Sequence, residues 1–331
     1  MISRKSNPHC VRGERPQLAK KKFVCGRGRV CDGSHSDCCV RSGLFNRSCP
    51  AQSPLFTVVI PTHDHADLLR IAARSALAQT QTDIEIFIVG DGMDAATRLV
   101  AGELAGADQR FRVFDFPKDE KRCARNRHLA LQSAQGEYIA YLDDDDYWFP
   151  DHLETLRNAL AEADFAHTRL LMLHPDSRLE AFQDSLEDPM TRERMLAEAY
   201  NFIGPTQAAH RLSTYRELPE GWSTPEDENF NDLSMWRKFL RKPETRFRSS
   251  RAITTLHLPS SGRKSWSLAE RLRELKYWGA LLDRQETRAR INLLFGESPG
   301  RELSRLVTVH TNSLRVNTEN GIASEPENAN V

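Results

Sequence analysis

An α/β fold, with a Rossmann-like, mostly parallel sheet flanked by helices and a helical C-terminal extension, is what the sequence predicts on three observations. Between residues 56 and 163, short runs rich in β-branched residues alternate with stretches of helical period. The connections are short, as parallel βαβ units with crossover helices require. Third, the apolar run YIAYL at 138–142 leads into four carboxylates, Asp143, Asp144, Asp145 and Asp146, and is stopped by Tyr147, Trp148, Phe149 and Pro150. Buried strands of open α/β sheets deliver functional groups at their carboxyl ends, because ligands sit in the crevice outside those ends. A solvated acidic turn has no reason to be flanked this way. The tip therefore points to a divalent cation with hard oxygen ligands, partly hydrated and shared with nucleotide phosphates.

At 331 residues the chain has room for one large α/β domain with extensions, or two smaller domains, around a substantial core. Its 46 basic and 46 acidic side chains cancel, so neither nucleic acid nor an anionic membrane is expected as a bulk partner. A mean hydropathy of -0.56, with no apolar run near bilayer length, predicts a soluble protein without a transmembrane segment. The basic opening residues precede no apolar core, so no secretory signal is expected. The expected location is the cytoplasm, with room for peripheral association at the inner face of the membrane.

Residues 1–54 are basic, rich in Gly, Ser and Cys, and lack a sustained period, which predicts a poorly ordered appended segment. Six of seven cysteines fall there (Cys10, Cys25, Cys31, Cys38, Cys39 and Cys49), with only Cys123 in the body. Inside a cell such cysteines bind metal or have no role. Cys31-Asp32-Gly33-Ser34-His35 spells the signature word of CDGSH iron–sulfur proteins, but the two earlier cysteines of that pattern are not at its spacing, which makes coincidence or a vestige the stronger reading. A zinc site has no recognisable paired spacing either.

The body opens with a strand at 56–60, closed by Pro61-Thr62-His63-Asp64-His65, and a helix at 66–79 carrying Leu68, Leu69, Ala72, Ala76 and Leu77 at helical spacing. A strand at 84–89 ends in Gly90-Asp91-Gly92, a tight turn expected to leave Asp91 facing the crevice. A helix at 95–105, a strand at 111–116 and a helix near 123–134 lead to the acidic strand. Pro150 and Asp151 suit the N-terminus of a helix at 150–163. A strand at 165–174 follows, then a charged, irregular stretch at 175–200, expected as a mobile region over a cleft. Further expectations are a strand at 201–211, a helix at 233–240 beginning near Asp232, and a strand at 252–258. Residues 268–294 are amphipathic, with Leu272, Leu275, Tyr277, Trp278, Leu281 and Leu282 on the apolar side. Their polar face mixes both charges, which suits a packing helix better than a membrane anchor. The implied organisation is a Cys-rich segment at 1–54, the α/β domain at 55–265, a helical extension at 266–311 and a disordered tail at 312–331.

PTHDH after the first strand, VGDG after the second and CARNRHLALQSAQGEYIAYLDDDDYWFP in the middle together resemble glycosyltransferase family 2. The resemblance runs over about residues 56–278. It implies the GT-A fold and inverting transfer from a nucleotide-diphosphate sugar, UDP-linked in the first instance, to a hydroxyl of a glycan or lipid-linked acceptor. Pro61, Thr62 and Asp64 would touch the nucleoside, Asp91 would accept a hydrogen bond from the base, and Arg125 would lie near the base or diphosphate. Turn capping is the competing reading for Asp91, and a surface salt bridge for Arg125.

Asp143 and Asp145 match the outer positions of the family's DXD motif. Carboxylates two apart on an extended chain can share one Mn2+ or Mg2+ ion, which acts as a Lewis acid on the departing diphosphate. Asp145 is assigned to the metal and Asp143 to ribose or metal. Asp144 falls among the nucleotide-sugar contacts or, like Asp146, is structural or solvent-facing, with orientation of the acceptor as the alternative for Asp146. His257 would complete the metal or diphosphate site, the alternative being a satisfied core histidine. Arg263 and Lys264 could meet the diphosphate. A base must take the acceptor proton on the face opposite the leaving group. Asp232, four residues before Trp236, is the first candidate and Asp227, beside Glu226, the second, with a plain N-cap as the competing reading for Asp232. His63, Asp64 and His128 depart from the family's common residues and leave the nucleoside preference open. Two other functions stay in view: a sugar nucleotidyltransferase, although the first loop lacks a glycine-rich basic signature, and a non-catalytic sugar- or metal-binding protein.

Overall fold

Phe56–Thr62 (β1) is buried along its whole length, as a central strand covered on both faces must be. Each Val, Ile or Phe so buried contributes about 1.5–3 kcal/mol. The computed structural model describes residues 53–120, 123–223 and 231–296, with the backbone of Phe23–Val24, Val30–Cys31 and Leu306–His310. Two compact units divide the chain, Met1–Gln52 and Ser53–Val331. In the first, Phe23–Val24 and Val30–Cys31 pair antiparallel. Cys10, Cys25, Cys38, Cys39, Cys49 and the rest of the CDGSH word lie outside the described residues, as do Glu226, Asp227 and the tail at 312–331.

In the second unit β1 is followed by α1 (Ala66–Leu77), β2 (Ile84–Asp91), α2 (Ala95–Ala107), β3 (Phe111–Phe116), α3 (Ala124–Leu131) and β4 (Tyr138–Tyr141). The alanines Ala66, Ala72, Ala73 and Ala76 on the buried face of α1 let it lie close to the sheet. Asp94 caps α2 by accepting from the Thr97 amide at 2.7 Å. Next come β5 (Tyr147–Trp148), α4 (His152–Leu160), β6 (Phe165–Leu173), β7 (Arg178–Phe182), α5 (Pro189–Ala197), β8 (Ala208–Arg211), α6 (Leu212–Arg216), α7 (Asn231–Leu240), β9 (Phe247–His257), α8 (Leu268–Leu282), α9 (Gln285–Gly296) and β10 (Leu306–His310).

The sheet runs β10-β7-β6-β8-β4-β1-β2-β3, with β9 pairing β5 and β6. From β4 to β3 every neighbour is parallel, the α/β half that the sequence predicts. On the other side β8 inserts antiparallel between β4 and β6, so the sheet is mixed. One core lies under α1, α2 and α4, a second under α3 and α7, and a third under α8 and α9.

Several expectations are corrected. The stretch at 175–200 is not irregular, for it holds β7 and α5, the latter begun by Asp188 accepting from the Met190 amide and by Pro189. Of 201–211 only Ala208–Arg211 is a strand, because Asn201 and Pro205 turn the chain first. Residues 268–294 form two helices, and β10 lies within the stretch expected to be wholly helical. Among the described residues no helix is long and apolar enough to cross a membrane.

Candidate active site

Because β1, β2 and β4 are parallel, Thr62, Asp91 and the acidic turn emerge along one edge of the sheet. The segment after the turn is pinned to α1. Gln79 donates through Nε2 to the Phe149 carbonyl at 2.8 Å and accepts from the Leu153 amide at 2.9 Å, while Ser75 Oγ accepts from the Trp148 amide at 3.2 Å. The four aspartates thus sit on a short, held loop between β4 and β5.

Asp91 does not face open solvent: it is 3% exposed. Its Oδ1 accepts from the Asp119 amide at 2.7 Å and from Asn126 Nδ2 at 2.8 Å, and its Oδ2 pairs with Lys118 Nζ at 3.0 Å. Gly92 turns the chain with φ +68°, and a Cβ there would meet Lys118 Cβ at 2.9 Å, so only glycine suits the turn. Beside it lies a cleft of about 530 Å³ lined by Phe116, Lys118, Asp119, Arg125 and Asn126, with the Arg125 side chain exposed at its rim.

α3 starts from Cys123 at φ 65°, left-handed for a residue with a Cβ, and its thiol is pushed up to about 12 by burial. That start directs consecutive residues to different partners. Asn126 reaches Asp91, while Arg127 stands 3.7 Å from Asp143 and lies over the Trp222 ring at 4.8 Å. The two strand-end carboxylates are therefore joined through one turn of helix.

Within the acidic turn the four residues have four environments. Asp143 is half-buried; burial and the charge of Asp146 push its carboxyl up to about 7, against the pull of Arg127. Asp144 is buried, correcting the solvent-facing reading. Its Oδ1 accepts from His65 Nδ1 at 2.9 Å, and its Oδ2 has no hydrogen-bond partner among the described residues. Asp145 accepts from Arg271 at 2.6 Å, and burial with the charges of Asp146 and Asp144 pushes it up to about 6. Asp146 is fully buried and structural, accepting from Thr206 Oγ1 at 2.5 Å and from His257 Nδ1 at 2.8 Å. Burial opposes the charged form of His257, yet the charge and hydrogen bond of Asp146, with Asp145 and Asp143 behind it, hold the imidazole up at about 9. Any contact of His257 with a ligand falls to Nε2.

Among the described residues no three His, Cys, Asp or Glu side chains stand together as a ready metal cluster. The donor chemistry nevertheless fits a hard cation. Carboxylate oxygens crowd one turn, and one of them is buried without a partner.

Pro61 pairs with Val89 inside the sheet, Thr62 is buried with a hydroxyl that has no partner among the described residues, and Asp64 is exposed, 3.7 Å from His65. Asp232 is the second residue of α7, its Oδ1 accepting from the Leu233 amide at 3.0 Å and its Oδ2 from Asn201 Nδ2 at 2.8 Å. Burial raises its pKa, opposed by the Leu233 amide, Arg127 and Asn201. Trp236 donates to the Ile203 carbonyl, which Asn201 Nδ2 also reaches, and this gives the Asp232–Trp236 spacing a physical reason. Arg263 is 2% exposed and committed to Glu274 and the Leu173 carbonyl, which removes it from the diphosphate candidates.

His65, Arg127, Asn201 and Arg271 were not singled out as functional from the sequence. Only Arg127 carries a local signal, since it falls on the buried stripe of α3 with Ala124, Ala130 and Leu131, where a charge is out of place.

Residues 57–207 match the model of Glycosyl transferase family 2. An uncharacterized glycosyltransferase of Rickettsia typhi is 34% identical over 112 residues, 34% of this chain and 34% of that relative. A Bacillus subtilis glycosyltransferase named for teichuronic acid biosynthesis, TuaG, is 26% identical over 223 residues, 66% of this chain and 85% of the relative. The match spans about a third of the length of the Rickettsia relatives. S. aureus TarS 1-349 in complex with UDP-GlcNAc superposes with a TM-score of 0.48 at 15% identity, over 72% of this chain and 71% of that one.

Proposed function

Because the chain carries a Glycosyl transferase family 2 domain over residues 57–207, we propose that it moves a sugar, with inversion, from a nucleotide-diphosphate sugar to a hydroxyl acceptor. The observation that carries this reading is the single sheet edge on which Asp91, Asp143 and Asp145 converge, with Asn126 and Arg127 joining them.

In this reading the cleft beside Asp91 takes the base, with Arg125 at its rim. Asp143 and Asp145 would hold Mn2+ or Mg2+, which when bound neutralises charge on the departing diphosphate, and His257 could add its Nε2 only after giving up the proton that Asp146 stabilises. Arg127 stands 3.7 Å from Asp143, and its charge favours the ionised form of both Asp143 and Asp232. Asp232 takes the acceptor proton; its raised pKa makes it a better proton acceptor than a solvated carboxylate. Asn201 holds one oxygen and the Leu233 amide the other, which fixes the direction in which the remaining lone pairs receive that proton. Asp227 remains the alternative base. The name of the relative TuaG puts teichuronic acid among the acceptors to test.

Calorimetry of UDP-, GDP- and TDP-sugars with and without Mn2+ identifies the donor, and transfer or donor hydrolysis is then followed in variants. Asp145→Asn is expected to lower turnover by at least about 10³-fold. Asp232→Asn should cost about 10²–10⁴-fold with donor affinity intact. Wild-type turnover in both variants sinks the assignment.

A further inference from the structure

α8 brings a charge of its own to the acidic turn. Arg271 is 15% exposed and reaches Asp145, 126 residues away in sequence, with one terminal nitrogen at 2.6 Å. Its other terminal nitrogen meets His65 Nε2 at 3.1 Å. A guanidinium only donates, so His65 Nε2 accepts, and the ring proton on Nδ1 goes to Asp144 Oδ1 at 2.9 Å. One arginine thereby answers Asp145 directly and Asp144 through the imidazole, while the other oxygen of Asp144 has no partner among the described residues.

The placement is anchored. Tyr147, the residue after the four aspartates, donates through its hydroxyl to Asp283 Oδ1 at 2.5 Å, just past the end of α8. Its ring lies so close to Gly279 that a Cβ there would stand 3.1 Å from it. Glu274 is tied to the buried Arg263, and Ser267 and Glu270 form a capping box that starts the helix one turn before Arg271. The helix is thus held against the turn on both sides of the arginine.

We propose that Arg271 is the built-in counter-ion of this site: its guanidinium holds the Asp145 carboxylate until a divalent cation displaces it, so that α8 sets the cation affinity. This rests on the reading of Asp143 and Asp145 as cation ligands. The physical reason is competition. A guanidinium stays charged at any working pH, and a hard cation must take the same carboxylate at closer range than a hydrogen bond allows. Asp145 therefore exchanges one positive partner for another and is not left bare.

The test is calorimetric titration of MnCl2 into the full chain without nucleotide, in wild type, Arg271→Gln, Tyr147→Phe and Asp145→Asn. Removing the competing charge in Arg271→Gln is expected to tighten Mn2+ binding by about tenfold. Tyr147→Phe frees α8 from the turn without touching a charge and should tighten binding in the same direction by a smaller factor, which keeps the idea testable if Arg271→Gln does not fold. Asp145→Asn should abolish binding. Unchanged or weaker Mn2+ binding in both Arg271→Gln and Tyr147→Phe overturns the counter-ion role alone. Failure of wild type and every variant to bind Mn2+, or binding that Asp145→Asn leaves intact, overturns the cation reading beneath it.

Discussion

Two turns at the same sheet edge, Gly90–Gly92 at the end of β2 and Asp143–Asp146 after β4, treat their carboxylates in opposite ways. Asp91 has donors matched to both oxygens, two of them from within a few residues of α3. The acidic turn gathers four carboxylates, each meeting one basic side chain among the described residues. Its partners come from as far away as Thr206, His257 and Arg271, and one oxygen has none among the described residues. A carboxylate with a full set of donors braces a turn. Crowded carboxylates held in place, with an oxygen to spare, form a receptor for positive charge.

That contrast runs through the acidic turn itself, because Asp146 is satisfied as Asp91 is. Asp146→Ala strands the charged His257 and the Thr206 hydroxyl in a buried site, and is expected to cost about 3–5 kcal/mol in urea unfolding. Asp91→Ala leaves the Asp119 amide and Asn126 without their acceptor and should cost about 1–3 kcal/mol. A neutral result at either position would place it with the receptor carboxylates. The smallest effect has the opposite sign. The folded state raises Asp143 to about 7, so the unfolded chain holds fewer protons between the unfolded value near 4 and that figure, and stability falls as pH rises through this window. Asp143→Asn should therefore raise the metal-free melting point at pH 8 by about 2 °C, with the gain vanishing below pH 4. A loss at pH 8 would mean that Arg127 already satisfies this carboxylate.

Short-range pattern made the parallel half legible. Residues 56–142 announce their central strands as short, continuous apolar runs and the first helix through a period of 3.6, and the run before the aspartates marks a buried strand end. The antiparallel half was harder. Arg178–Phe182 is a strand because β6 and β10 pair with it, and nothing within its own residues announces those partners. Among the site residues, the motif points to Arg125, while the buried stripe of α3 marks Arg127.

By itself, then, the sequence determined that this chain builds a mostly parallel α/β half with carboxylates at its strand ends, since hydrophobic period and turn chemistry act over a few residues. Only the tertiary structure decided which aspartate is which. Asp146 became a brace, Asp145 the partner of Arg271, and Asp232 the partner of Asn201, through contacts spanning 111, 126 and 31 residues of chain. Charge and hydrogen bonding act through space, and four identical neighbours acquire different roles only when the fold gives each a different surrounding.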